Sequence, residues 1–112
     1  MENELFHFEN QNDWEVVGKG VKRQIAVHSP VMMLTKVKFE KGATGELHRH
    51  PQTQISYVKS GVFHYVIDDI MHVLHGGDSC IIPSNALHGC ECIVAGELID
   101  TFNPVREDFL IK

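Results

Sequence analysis

The sequence predicts an all-β antiparallel sandwich or barrel in one domain, and three observations carry that prediction. About nine short runs alternate apolar and polar side chains with period 2, and Gly, Pro, Asn and Asp cluster between them. No amphipathic helical pattern precedes the last residues. The chain has 112 residues, 43% hydrophobic and 22% charged, which is ordinary globular composition with room for one core and no second. Many short strands closed by such turns suit a jelly roll.

In chain order, residues 1–19 hold Leu5, Phe6, Phe8 and Trp14 among acidic and amide residues without a clean period. They are expected to form an N-terminal arm docked on a barrel wall or on a partner subunit, ahead of a barrel spanning residues 20–110. Val21, Arg23, Ile25 and Val27 alternate with Lys22, Gln24, Ala26 and His28 as a strand that ends at Ser29-Pro30. Met33, Thr35, Val37 and Phe39 share one face of a second strand, which turns at Lys41-Gly42. Ile55 to Lys59 alternates and stops at Ser60-Gly61; Val62 to Ile67 and Ile70 to Leu74 form a hairpin about Asp68-Asp69. Ser79 to Ile82 stops at Pro83, and the Ser84-Asn85-Ala86 loop delivers His88. Cys90 to Val94, a turn at Ala95-Gly96 and Leu98 to Phe102 complete the set.

A net charge of −5 and a pI near 5.8 give no electrostatic footprint for nucleic acid. No apolar run approaches the roughly 20 residues that span a bilayer, and residues 1–4 lack the basic and apolar regions of a secretory signal. Cys80, Cys90 and Cys92 are an odd number of thiols, which suits a reducing compartment. A cytoplasmic protein without nucleic-acid or membrane partners is expected.

The chemistry concentrates between Gly42 and Gly61. His48 and His50, one residue apart, project from one face of a β-strand, whereas on a helix they would diverge by about 200°. Pro51 bends the chain and returns Gln54 towards the same point. This is half of a metal site, with a further ligand to come from elsewhere in the chain. His7, His28, His64, His72 and His75 have no such frame and read as surface or turn residues.

Gly42, His48, His50 and Gly61, with Gln54 in place of the usual Glu, resemble the first cupin motif, G-x5-H-x-H-x3/4-E-x6-G. Gly77, Pro83 and His88 resemble the second, G-x5-P-x-G-x2-H-x3-N, with Asn85 where Gly is usual and Cys92 where Asn is usual. The resemblance to the cupin superfamily implies a double-stranded β-helix, the cupin jelly-roll barrel. It also implies that His48, His50, Gln54 and His88 bind one divalent metal ion. Imidazole suits nickel, zinc, copper and iron, and the resemblance leaves nickel, zinc, manganese or iron open. Without a carboxylate ligand the ion keeps its full charge, which favours Lewis-acid chemistry over oxygen activation. Cys90 and Cys92 share the strand parity of His88 and read as small apolar interior residues, with zinc ligation as the alternative.

The ending Leu98 to Leu110 is similar to the D-x-F-x-P-x-R-E-D-[FY] ending of small pectin-degradation cupins of the KdgF type, as are Gly20 to Arg23, His48 to Gln54 and Gly77 to Gly89. The resemblance implies conversion of 4,5-unsaturated uronates, released from pectin or alginate, to linear keto sugars. The active-site residues it implies are Asp100, Phe102 and Arg106. Asp100 and Phe102 share a face with Leu98, so a carboxylate stands in a largely apolar barrel. Arg106 is placed to pair with Asp100 or to clamp a uronate carboxylate. Asp100 would transfer a proton as the hemiacetal opens and the enol becomes a ketone, with the sugar stacked on Phe102. A dioxygenase or sugar isomerase on the same barrel, and a non-catalytic sugar-acid binding module, are the competing readings. The apolar arm and the two-sided strand from Val31 to Phe39 lead to an expected homodimer.

Overall fold

The structure, a computed structural model, describes residues 5–111; residues 1–4, read above for targeting features, lie outside them. Eight strands run through the described residues: β1 (Glu15–Gly18), β2 (Val21–Ser29), β3 (Met32–Phe39), β4 (Thr44–His48), β5 (Thr53–Ile67), β6 (Ile70–His75), β7 (Ser79–Ile82) and β8 (His88–Asn103). A 3-10 turn at Glu9–Gln11 precedes them and one helical turn, α1 (Glu107–Leu110), follows. Every pairing is antiparallel, as the alternation predicts. The architecture is an all-β antiparallel barrel. No helix among the described residues is long and apolar enough to cross a membrane.

The count differs from about nine short strands because two expected turns are bends inside long strands. Ile55 to Lys59 and Val62 to Ile67 belong to β5, and Cys90 to Val94 and Leu98 to Phe102 belong to β8. The β5–β8 register shifts three times between Val58 and Phe63, a bulged crossing that bends the strands without ending the ladder. Glycine permits it: a Cβ on Gly61, which has φ +88°, would lie 2.5 Å from the Val94 carbonyl oxygen, and one on Gly96 would overlap the Ser60 carbonyl. One half of the barrel is β1-β2-β3-β8-β5-β7; in the other, the opposite halves of β8 and β5 pair with β4 and β6. Between these halves Val58, Phe63, Ile82, Cys92 and Leu98 are buried, with Phe39 edge-on to Phe63 at 5.2 Å. Val58, Phe63, Ile82 and Leu98 each contribute about 1.5–3 kcal/mol on full burial.

The simple alternation in β2 fails after Ile25. A register shift between Ile25 and His28 turns Val27 outward, since a one-residue slip exchanges the faces. Gln24 is buried on the outer face beneath the N-terminal segment: its Nε2 donates to the carbonyls of Glu9 (3.2 Å) and Asn12 (3.0 Å), and its Oε1 lies 2.8 Å from His7 Nε2. Lys36 pairs with Glu9 at 2.8 Å and Lys38 stacks over Trp14 at 4.1 Å. The arm therefore docks by polar and cation–π contacts. Phe6 and Phe8, read from the sequence as covering a barrel wall or a partner subunit, are 61% and 56% exposed in the single chain and so do not cover its barrel wall.

Candidate metal centre and active site

β4 delivers His48 opposite His88 at the start of β8. His50 lies beyond the end of β4, in the loop before β5, and not on a common strand face as the H-x-H spacing predicts. Pro51 confines His50 to extended backbone and turns the chain, after which Gln54 points inward from β5. The three rings still converge, with centroids 4.3 Å (His48–His88), 4.9 Å (His50–His88) and 5.5 Å (His48–His50) apart.

Each Nδ1–H donates to a backbone carbonyl: His48 to Glu46 (2.7 Å), His50 to Gln52 (3.0 Å) and His88 to Ala86 (2.9 Å). These bonds select the tautomer that leaves the Nε2 lone pairs free for a metal. The three histidines place one ligand atom each within 4.8 Å of one another and can hold a metal ion. Two further observations fit a cation. His88 Nε2 is buried without a hydrogen-bond partner, and His50 Nε2 lies 3.0 Å from Gln54 Oε1, two acceptors converging when the ring is neutral. Burial pushes His88 down to about 4, and burial with the nearby Arg106 charge lowers His50, shifts that favour the neutral form of both rings. No cysteine joins the cluster among the described residues. Cys90 lines the cavity with its thiol pushed up to about 12 by burial, and Cys92 Sγ donates to the Val94 carbonyl at 3.2 Å.

The sheet register assembles the opposite wall. Across β3, β8 and β5, Thr35, Asp100 and Ser56 form one row, and Met33, Phe102 and Gln54 the next. Ser56 Oγ donates to Asp100 Oδ1 at 2.6 Å, lies 2.9 Å from Tyr65 OH, and accepts from Gln54 Nε2 at 3.0 Å. Burial raises Asp100 to about 6 against the opposing hydrogen bonds from Ser56 and Gln54 and the Arg106 charge. Burial, and then the Asp100 charge, raise Tyr65 well above its usual value.

Arg106 does not pair with Asp100. Its Nε and Nη2 donate to Asp108 Oδ1 and Oδ2 at 3.0 and 2.9 Å, because α1 starts at Glu107 and brings Asp108 back over the guanidinium. Arg106 also stacks over Phe102 (5.3 Å) and Phe109 (4.1 Å), and Arg23, paired to Glu15, lies 3.7 Å over Phe109. The cavity has a volume of about 550 Å³, and its lining includes His48, Gln54, His88, Asp100, Phe102 and Arg106. Sequence reasoning missed Ser56, Tyr65 and Thr35. Ser56 has the strand parity of Gln54, which is the signal that marks it as inward.

This barrel, with three histidines in its mouth, is that of a cupin: residues 35–100 match the family described as Cupin domain, and the chain belongs to that family. It is 39% identical over 107 residues to the pectin degradation protein KdgF of Dickeya dadantii, covering 94% of this chain and 97% of that one. Among solved structures it superposes on an RmlC-like cupin from Shewanella frigidimarina with TM-score 0.90 and 44% identity, over 93% and 94% of the two chains. KdgF from Halomonas sp. matches with TM-score 0.89 and 34% identity, over 93% and 96%.

Proposed function

We propose that the protein converts 4,5-unsaturated uronates from pectin or alginate breakdown into linear keto sugars, in a reaction that depends on one divalent metal ion. The observation that carries this reading is Asp100, a carboxylate 8% exposed in the lining of the histidine cavity, whose pKa of about 6 suits proton transfer near neutral pH. The likeness to a pectin degradation protein supplies the substrate class.

His48, His50, His88 and Gln54 Oε1 are the groups that would hold the ion. Bound there, with no carboxylate among its ligands, it supplies Lewis-acid stabilisation of negative charge on oxygen. The remaining roles belong to the chain. Arg106 Nη1, outside the Asp108 pair, is the donor for the uronate carboxylate, and Phe102 is the wall against which the ring stacks. Asp100 Oδ1 accepts from Ser56, which leaves Oδ2 to carry the proton as the hemiacetal opens and the enol becomes a ketone. Metal-loaded protein added to lyase-generated unsaturated galacturonate is expected to abolish the conjugated ultraviolet band faster than it decays spontaneously. No acceleration at stoichiometric metal rejects the assignment.

A further inference from the structure

We infer that Ser56 is a positioning residue that aims the carbonyl oxygen of Gln54 at the histidine cluster, and that this is why an amide, not a carboxylate, stands at position 54. The inference rests on the metal-binding reading above and concerns how one of its ligands is oriented.

An amide side chain has two nearly isosteric ends, and its hydrogen-bond partners decide which faces where. Gln54 and Ser56 are both buried, so neither has water to compensate a wrong choice. On the cavity side, Gln54 faces His50 Nε2 at 3.0 Å. With the His50 proton held on Nδ1 by the Gln52 carbonyl, Nε2 is an acceptor. Considered alone, that contact would draw the amide NH2 of Gln54 inward and close the metal position with a donor.

Ser56 opposes this orientation. Its hydroxyl has one proton, which the 2.6 Å bond gives to Asp100 Oδ1. Towards its other two neighbours Ser56 Oγ is therefore an acceptor, so Tyr65 OH donates to it at 2.9 Å and Gln54 Nε2 donates at 3.0 Å. Turning Gln54 round would set its Oε1 against Oγ lone pairs with no proton between them. The bonds thus have one consistent direction, from amide to hydroxyl to carboxylate, with the amide also donating towards Asp100, and they leave Oε1 facing the histidines. A carboxylate at position 54 has no proton for Ser56 and would add a second buried negative charge near Asp100.

The test is metal affinity by chelator competition on wild type, Ser56→Ala, Ser56→Thr, Gln54→Ala and the Ser56→Ala/Gln54→Ala double variant. Ser56→Ala is expected to lose about 10–100-fold in affinity, the range for removing a partner that orients a ligand, with Ser56→Thr restoring most of it. In the Gln54→Ala background, Ser56→Ala is expected to cost nothing further, because its effect passes through the amide. Affinity of Ser56→Ala within twofold of wild type, or the same loss in both backgrounds, overturns the inference while leaving the metal site standing. Wild-type protein that binds no metal overturns the metal reading and this inference with it.

Discussion

On one side of the bend at Gly61 and Gly96, β5 and β8 bury Phe63, Tyr65 and Cys92, with His88 at the far end; on the other, the same two strands bury Val58 and Leu98 beside the bend and Gln54, Ser56, Asp100 and Phe102 beyond them. Strand pairing and inward alternation continue through both halves. The chemical contrast runs along the strands, since next to the bend both halves fill the hydrophobic core, whereas the far end of the second half lines a cavity with polar groups bonded to one another and His88 faces that cavity from the first. Tyr65 joins the halves, carrying an aromatic ring in the core and a hydroxyl on Ser56. Buried polar side chains cost free energy unless satisfied, so their concentration at the ends of the strands away from the bend marks the wall built for function.

The bend that separates the halves gives the largest expected effect. Gly96→Ala places a methyl on the Ser60 backbone carbonyl, which cannot give way as a flexible side chain would. A loss of about 4 kcal/mol or more, or failure to fold, is expected in urea unfolding. Gly77→Ala, with open space around its Cβ and only a positive φ to strain it, should cost about 1 kcal/mol.

Within the core beside the bend, Phe63→Ala removes a fully buried ring in edge contact with Phe39. It should destabilise by about 3–5 kcal/mol while metal stoichiometry per folded molecule stays at the wild-type value. Loss of metal from the folded fraction would mean that the core beside the bend and the site at the strand ends are not separable.

The polar strand ends should reveal themselves in pH dependence. Asp100 titrates at about 6 when folded and near 3.8 when unfolded. The folded state therefore holds this proton more tightly, and the associated stability, present below the unfolded value, is lost as pH rises through 6. At about 1.4 kcal/mol per pKa unit the difference approaches roughly 3 kcal/mol at pH 7. In metal-free protein, the stability of Asp100→Asn relative to wild type should increase from pH 4.5 to 7.5. His88, lowered to about 4, acts in the opposite sense, with stability present above its unfolded value and lost as pH falls; it cancels in that comparison. A difference that does not change with pH would remove Asp100 from the buried network.

The smallest effect concerns the thiols. Replacing Cys90 and Cys92 with Ala should leave metal content unchanged, because Cys90 is held as a neutral thiol and the histidine cluster contains no sulfur. Elemental analysis showing lost stoichiometry would replace the ligand set.

The fold class was legible because alternation survives in β3, where Met33, Thr35 and Phe39 face inward as read. It was illegible where glycine serves a bend: Gly61 and Gly96 are chemically identical to turn glycines, and only the approach of the partner backbone distinguishes them. The ligand spacing at His48, His50 and His88 led to a real cluster, although His50 reaches it from a loop. Asp100 was recognisable as a carboxylate on an apolar face. Its partner was not, because Arg106 is taken by Asp108 two residues on, a local pairing made by the turn into α1. Ser56 carried no signal beyond parity, since a hydroxyl's role depends on which neighbours hold protons.

The most direct measurement is the initial rate of ultraviolet-band loss from unsaturated galacturonate, taken for wild type and Asp100→Asn at equal, measured metal content. The expected result is acceleration over the spontaneous rate by wild type and a fall of about 10²–10⁴-fold in the variant, with metal retained. Turnover by the variant at the wild-type rate would contradict Asp100 as the proton carrier, and no acceleration by metal-loaded wild type would contradict uronate ketonisation itself.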